Sequence, residues 1–412
     1  MRQIIFYLIL FILPLISLAQ NKEKEVDLET IIRSLASEDF EGRAPNTKGD
    51  SLTCDLISES FESIGLRKFN DSYFQVISFN NRDWRGKNPS AEIQTYYSRN
   101  IIGIIPGNDK DLKNEYVIIG AHHDHLGFGG RMSGSRVQEE AIHYGANDNA
   151  SGVGLMIDLA KKFSNKPTKR TLIFIGFAAE EKGLVGSKAF VENPLIDLSK
   201  VNAMINFDMV GNLKNNAITA GGSKTSTKSE ELILKHSSKH GLKPSLSPNG
   251  HGPSDHAPFY GKNIPVFYFT TGADHTYHTP LDNVENINFN GIELISDFVY
   301  DLVEDIANND KLIFQETAPS STPTMQSFKV TLGLMPDVTG STDKGLKADL
   351  IIKDRPAYKA GMKNGDIILE MDSIKIENIN DYMKALSNLK KDTSVNVKVL
   401  RDKEIVNLRV DL

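Results

Sequence analysis

One cysteine and one tryptophan in 412 residues set the first bounds on this chain. With a single thiol, Cys54, no internal disulfide can form, so stability has to come from a hydrophobic core and, where acids and histidines gather, from metal. Positive charge is not in excess either: 47 Lys and Arg stand against 53 Asp and Glu, a formal net charge of −6. That balance offers no basic face, and nucleic acid is not an expected partner. A long apolar run occurs in one place only, the N-terminal "MRQIIFYLILFILPLISLAQ". One basic residue, Arg2, precedes an apolar stretch from Ile4 to Leu18, and Ser17 and Ala19 supply the small residues before a cut near Gln20. The pattern predicts a signal peptide over residues 1–19 and an exported protein, periplasmic or secreted, with no stable membrane span after cleavage.

The length allows two or three domains, each with a real core. From Tyr116 onward, continuous apolar strands alternate with amphipathic helices: "YVIIGA", then "ASGVGLMIDLAKKF", then "RTLIFIGF", a helix near Leu184 to Val191, "VNAMINFD", a helix near Lys228 to His240, "IPVFYFT" and a last helix "FNGIELISDFVYDLVEDI". This alternation predicts an α/β fold of three layers, a mostly parallel sheet with helices on both faces, spanning residues 20–316. Ligands in such folds bind beyond the carboxyl ends of the strands, so chemistry is expected just after those four segments. "TAPSSTPTMQ" over residues 317–326 reads as a linker. Residues 327–412, with short strands such as "SFKVTLGL", "DLIIKD" and "EIVNLRV" and one clear helix, "INDYMKALSNL", form a small separate β-rich domain.

The strand ends carry what the crevice rule requires. Of ten histidines, four lie within residues 122–143 and four within 251–278. "HHDH" (122–125) follows the first strand, "AAEE" with Glu180 and Glu181 the second, Asp208 ends the third, and "TGADHTYHTP" with Asp274, His275 and His278 follows the fourth. Imidazoles and carboxylates without thiolate suit zinc or a comparable divalent ion in an open, catalytic site. Side chains of adjacent glutamates point different ways, so one can bind metal while its neighbour remains free to move protons.

Five segments in order, "GAHHDHLG", "GANDNASG", "FAAEEKGLVGS", "NFDMVG" and "YHTPLDN", resemble the signature of the co-catalytic zinc aminopeptidases and their relatives. The stretch "LASEDFEGRAPNTKGD" is similar to that family's usual N-terminal part. The resemblance implies two zinc ions, or other divalent ions, per chain. His122 and Asp208 would complete one ion and Glu181 and His278 the other, with Asp148 bridging both. It also implies Asp124 as the carboxylate that orients His122, Glu180 as general base, and Tyr277 as a phenol near the oxyanion. "GPSDHAPF", with Asp255 and His256, resembles a segment lining the substrate side, and His275 is a further substrate candidate. His123, His125 and His143 are left without a role. In relatives the peptide after the bridging aspartate is cis, so the Asp148–Asn149 bond is expected to be cis, with Gly145 and Gly152 letting the backbone pass close to the metals.

"VTLGLMPD" followed by "AYKAGMKNGDIILEMD" resembles a PDZ domain. That implies an extended peptide or protein C-terminus added to a sheet edge, its carboxylate near Leu332, Gly333 and Leu334. Met335 and Pro336 depart from the common loop wording, so a packing or access-limiting role stands equally open. The reading as a whole is an exported metallo-exopeptidase, an aminopeptidase acting on peptides. A dipeptidase, a carboxypeptidase or a glutaminyl cyclase on the same fold, or a silent peptide-binding relative, are the alternatives. For a carboxypeptidase the basic residues near the motifs are Arg131 and Arg136.

Overall fold

The computed structural model describes residues 26–80, 94–130, 133–137, 139–317, 330–336, 344–351, 355–377 and 379–412. The expected signal peptide, most of the expected linker and Arg131 therefore lie outside the described residues.

Helices Leu28–Leu35 (α1) and Lys48–Ile64 (α2) open the chain. Each starts at a side-chain cap: Asp27 accepts from the Thr30 amide, and Thr47 from the Asp50 amide. α2 stops at Gly65, whose φ of +87° closes the helix in the left-handed conformation that glycine adopts without penalty. Eight strands follow: Phe74–Asn80 (β1), Thr95–Ile105 (β2), Tyr116–His122 (β3), Thr171–Phe177 (β4), Val201–Phe207 (β5), Ala217–Gly221 (β6), Lys243–Leu246 (β7) and Val266–Thr270 (β8). They form one sheet in the order β1-β2-β4-β3-β5-β8-β6-β7. The central strands β4, β3, β5 and β8 run parallel, and the flanks bring in antiparallel pairs β1–β2, β2–β4 and β6–β8. The flanks escape the sequence pattern because β1 and β7 are half-exposed edges, and β7 carries Pro244, which only an edge strand tolerates well.

Alternate residues of the strands serve two cores, as expected of a sheet covered on both sides. Val117, Ile119, Leu172, Phe174, Ala203 and Ile205 pack with α1, α2 and the helices Ser151–Ser164 (α3), Ser229–Lys239 (α4) and Phe289–Asn308 (α5). Ile118, Ile173, Ile175 and Met204 face the opposite way, onto Phe190, Val191, Phe259 and Tyr260. Register brings the carboxyl ends level, with His122 opposite Phe177 and Ala121 opposite Phe207. Everything attached to those ends therefore meets at one rim.

The C-terminal part has its own antiparallel sheet. It is built from Leu334–Pro336, Leu346–Ile351, Ile367–Met371, Ile374–Lys375, Ser394–Arg401 and Glu404–Asp411, with helices Pro356–Lys359 and Ile379–Asn388. A separate core of Leu346, Ile368, Val397, Val399, Tyr382 and Leu386 holds it together. The expected strand "SFKVTLGL" begins outside the described residues, and its described end supplies the strand from Leu334. Among the described residues no helix is long and apolar enough to cross a membrane.

Candidate metal centre

Two loops have to be held a few ångströms apart for the centre to exist, and one buried arginine ties them. Arg43 donates from Nε to the His123 carbonyl (3.0 Å), from Nη1 to those of Leu35 (2.6 Å) and Tyr144 (2.7 Å), and from Nη2 to that of Gly145 (2.9 Å). The loop 145–152 is held again two residues further on by Asp282, whose two oxygens accept the amides of Asn147 (2.8 Å) and Asp148 (3.0 Å). Asn149 donates to the Phe207 carbonyl at 2.9 Å and accepts from the Gly152 amide at 3.1 Å, tying the loop to the end of β5. The Asp148–Asn149 peptide is cis. Gly145 has a φ of +57°, and a Cβ there would stand 2.3 Å from the Asp148 carbonyl oxygen and 2.6 Å from the His125 ring. No other residue fits that turn.

These anchors aim the two oxygens of Asp148 at different partners. Oδ1 lies 3.3 Å from His122 Nε2, which is itself 3.4 Å from Asp208 Oδ1. Oδ2 lies 3.2 Å from His278 Nε2, which is 3.2 Å from Glu181 Oε1. Donor atoms at the corners of a tetrahedron with metal bonds near 2.1 Å are roughly 3.4 Å apart, so each set has the spacing of a ligand shell. His278 Nε2 is buried with no hydrogen-bond partner. An imidazole nitrogen facing two carboxylates without bonding to either has the placement a ligand would need, and the imidazole and carboxylate donors of both sets are of the kind that fit zinc. The outer ring nitrogens are occupied: His122 Nδ1 is 3.2 Å from the Asp124 carbonyl oxygen and His278 Nδ1 is 3.1 Å from that of Gly134.

The structure thus brings together His122, Asp148, Glu181, Asp208 and His278. Asp124 sits beneath them with a different emphasis from the one expected. Its carboxylate is 3.7 Å from His122 Nδ1 and accepts instead from the amides of Glu180 (2.8 Å) and Glu181 (3.3 Å), holding the glutamate turn that starts at Ala179 with a φ of +53°. Glu180 is half-buried beside this group. Burial, then Glu181, Asp208 and Asp255, push its carboxyl well above the usual range, against the pull of His122. Burial also raises Asp255, to about 7, where the Ser187 hydroxyl donates to it. His256 is pushed down to about 3 by burial and stacks on Tyr268 with ring centroids 4.5 Å apart. Tyr277 stacks on His278 at 3.8 Å. His275 is exposed and shows no hydrogen bond or ion pair with the cluster.

Sequence reasoning left His125 without a role, and the structure places it inside. Its Nδ1 is 3.1 Å from Glu181 Oε1, while Nε2 is buried without a partner. His122 and His278 both have an acceptor for the outer nitrogen and His125 has none, so its proton belongs on Nδ1, donated to Glu181. With Asp148 and Glu181, His125 forms a group spaced closely enough to hold a metal ion; lacking an acceptor for its outer nitrogen, it is better placed to steady the Glu181 carboxylate than to serve as another ligand. Arg43 and Asp282 were also missed: both lie in the quoted segments "LASEDFEGRAPNTKGD" and "YHTPLDN", but a segment does not say which carbonyls or amides 80 to 135 residues away its side chains hold. His143 is held by Ser135 Oγ (2.8 Å) and the Ala141 carbonyl (2.9 Å), and His123 Nε2 by the Arg99 carbonyl (3.1 Å).

Histidines and carboxylates that converge in two sets at the carboxyl ends of the parallel central strands have the arrangement of a metal site in an α/β enzyme. Comparison with known proteins makes this specific: residues 100–303 match the model of peptidase family M28, and residues 337–412 match a PDZ domain. The chain belongs to peptidase family M28 and carries a C-terminal PDZ domain. It is 28% identical over 250 residues to leupeptin-inactivating enzyme 1 of Streptomyces exfoliatus, covering 54% of this chain and 56% of that protein. It is 31% identical over 225 residues to aminopeptidase YwaD of Bacillus subtilis, covering 52% and 46%. The chain thus spans about half the length of the curated relatives it matches. In fold it is similar to the aminopeptidase from Aneurinibacillus sp. strain AM-1, with a TM-score of 0.55 at 18% identity over 71% of this chain and 96% of that one.

Proposed function

We propose that the chain is an exported aminopeptidase that hydrolyses the N-terminal peptide bond of peptides with two divalent ions, most simply zinc. The observation that carries this is the divided aim of Asp148, one oxygen toward His122 and Asp208, the other toward His278 and Glu181. His122 and Asp208 would hold one ion, Glu181 and His278 the other, and Asp148 both. Bound ions in such a pair lower the pKa of water and polarise a carbonyl.

The protein's own groups supply the proton path. Glu180 stands half-buried beside the cluster, adjacent to Glu181, and would take a proton from water and hand it to the leaving amine. Asp124 fixes the turn that presents it, through the two amide hydrogen bonds. Tyr277, pressed against His278 and pushed well above its usual range by burial and the surrounding acids, keeps its phenolic proton and can donate to the oxyanion. Asp255 and His256, the other two substrate candidates beside the cluster, are buried, with the Ser187 hydroxyl donating to Asp255. The PDZ domain would take an extended peptide near Leu332, Gly333 and Leu334, where Gly333 has a positive φ (+75°) and its amide donates to the Thr331 hydroxyl at 3.1 Å.

The test combines metal analysis with a panel of aminoacyl amides, N-blocked peptides and C-terminal substrates. Two ions per chain and cleavage of unblocked amino termini only are expected; one ion with cyclisation of N-terminal Gln would overturn the reading. Glu180→Gln should retain metal and lose roughly 10²- to 10⁴-fold in kcat. A near-normal rate in that variant would remove Glu180 as the base.

A further inference from the structure

The rim of the centre holds a cation that the proposed mechanism does not use. The backbone amide of Arg136 donates to the carbonyl of His278 at 3.0 Å, and Gly134 two residues earlier accepts from the same histidine, so this segment is bound directly to a metal-site residue. The Arg136 guanidinium carbon lies 4.5 Å from the centre of the Tyr277 ring, and that ring lies 3.8 Å from the His278 imidazole. Tyr277 is thus stacked on His278 and in contact with Arg136. Nη1 of Arg136 is buried and has no hydrogen-bond partner, and among the described residues the guanidinium forms no ion pair.

Contact with the face of a phenol satisfies a guanidinium's charge in part but none of its N–H donors, which lie in the plane of the group. Arg136 is half-buried as a residue, but its buried Nη1 donor without an acceptor is unfavourable. The nearby protein acid is Asp148, and its two oxygens are already directed at the two metal positions. The acceptor that fits is an anion arriving with the substrate. A planar fork of N–H groups matches a carboxylate two-point to two-point, which explains arginine here rather than lysine.

Distance selects which carboxylate. In a dipeptide the terminal carboxylate sits one residue, about 3.8 Å of Cα spacing, past the scissile bond, and a tripeptide adds about 3.3–3.6 Å. Both fall within the two-ring stack that separates Arg136 from the ligand imidazole. Longer peptides would carry the carboxylate beyond it.

We propose that Arg136 binds the free α-carboxylate of a short peptide, so that this centre prefers dipeptides and tripeptides over long chains. The proposal rests on the aminopeptidase reading and narrows it. Of the two arginines weighed as carboxylate binders, Arg131 and Arg136, it gives a role to the one among the described residues.

The experiment measures kcat/KM of the zinc-loaded full chain on Leu-Gly, Leu-Gly-amide, Leu-Gly-Gly and a leucine p-nitroanilide. A charge-assisted hydrogen bond to the carboxylate predicts Leu-Gly ahead of its amide by roughly 10- to 150-fold, carried mainly by KM. In Arg136→Gln the acid-to-amide ratio should fall close to one, and Arg136→Lys should keep part of it. Because each ratio is taken within one protein preparation, partial misfolding of a variant does not mimic the result. Competitive inhibition by D-leucyl-glycine against its amide gives the same comparison without turnover. Equal rates on acid and amide in the native chain, or an acid preference unchanged in Arg136→Gln, would overturn the carboxylate site while leaving an aminopeptidase standing. No cleavage of any of the four substrates would remove the aminopeptidase reading and this inference with it.

Discussion

Arg43→Met is the substitution whose cost can be worked most directly. The side chain is buried and its guanidinium serves four carbonyls, of Leu35, His123, Tyr144 and Gly145, at 2.6 to 3.0 Å. Methionine fills most of the volume and serves none of them. Each stranded, buried carbonyl costs about 2 kcal/mol. Against this, the native protein already bears the desolvation of the cation, which burial pulls down to about 10; a shift of that size corresponds to about 3 kcal/mol, recovered when the charge is removed. The net loss is then about 5 kcal/mol, a large part of the stability of a typical domain. In melting temperature this is on the order of 10 °C or more. Urea and thermal unfolding followed by circular dichroism, both proteins in excess chelator, isolate the effect from metal binding. Arg43→Lys keeps the charge but not the fork and should recover only part of the loss. If Arg43→Met unfolded within about 1 kcal/mol of the native chain under these conditions, the four hydrogen bonds would not be the clamp described here.

Two further outcomes test the surroundings of the centre. Asp50 is 4% exposed and burial raises its carboxyl from 3.8 to about 6, although Ser98 and the Asn46 amide donate to it. The folded state therefore holds this proton more tightly than the unfolded one, so native stability falls as pH rises from about 4 to 6 and stays low above that. Asp50→Asn, which can accept from Asn46 and donate to the Ser98 hydroxyl, should gain about 2–3 kcal/mol at pH 8 and nothing near pH 3.5. Equal stability of the two proteins at both pH values would show that Asp50 is not held protonated. His125→Phe removes the donor to Glu181 and should weaken the ion held by Glu181 and His278 by about 10- to 100-fold, leaving the other ion in place. His125→Asn puts an amide nitrogen near the place of Nδ1 and should restore much of that affinity; chelator competition reads both, and two ions bound with native affinity by His125→Phe would refute the role.

Much of the architecture could be read ahead of the structure because it rests on local patterns. The runs "YVIIGA", "RTLIFIGF" and "VNAMINFD" are buried on both faces of a sheet, and such strands leave a continuous apolar signal. Polar residues at their carboxyl ends stand out against that background, which is why His122, Glu180, Glu181 and Asp208 could be picked as a group. The edges left no such signal. β1 and β7 are half-exposed, so their composition is as mixed as a loop's. The order of the flanking strands depends on pairing between distant segments, such as Gly221 with Tyr268, which no short window records.

The sequence by itself determined the helices and central strands, the kinds of atom at the strand ends, and the family signature from His122 to His278, because periodicity and ligand chemistry are properties of neighbouring residues. Tertiary structure alone decided how Asp148 divides its two oxygens, that Asp124 grips the glutamate turn more closely than the histidine, that His125 lies against Glu181, and that Arg136 stacks on Tyr277 with Nη1 buried and lacking an acceptor. Each of these is a contact across tens to more than a hundred residues, and a side chain's partner is chosen by the packed chain around it rather than by its neighbours in sequence.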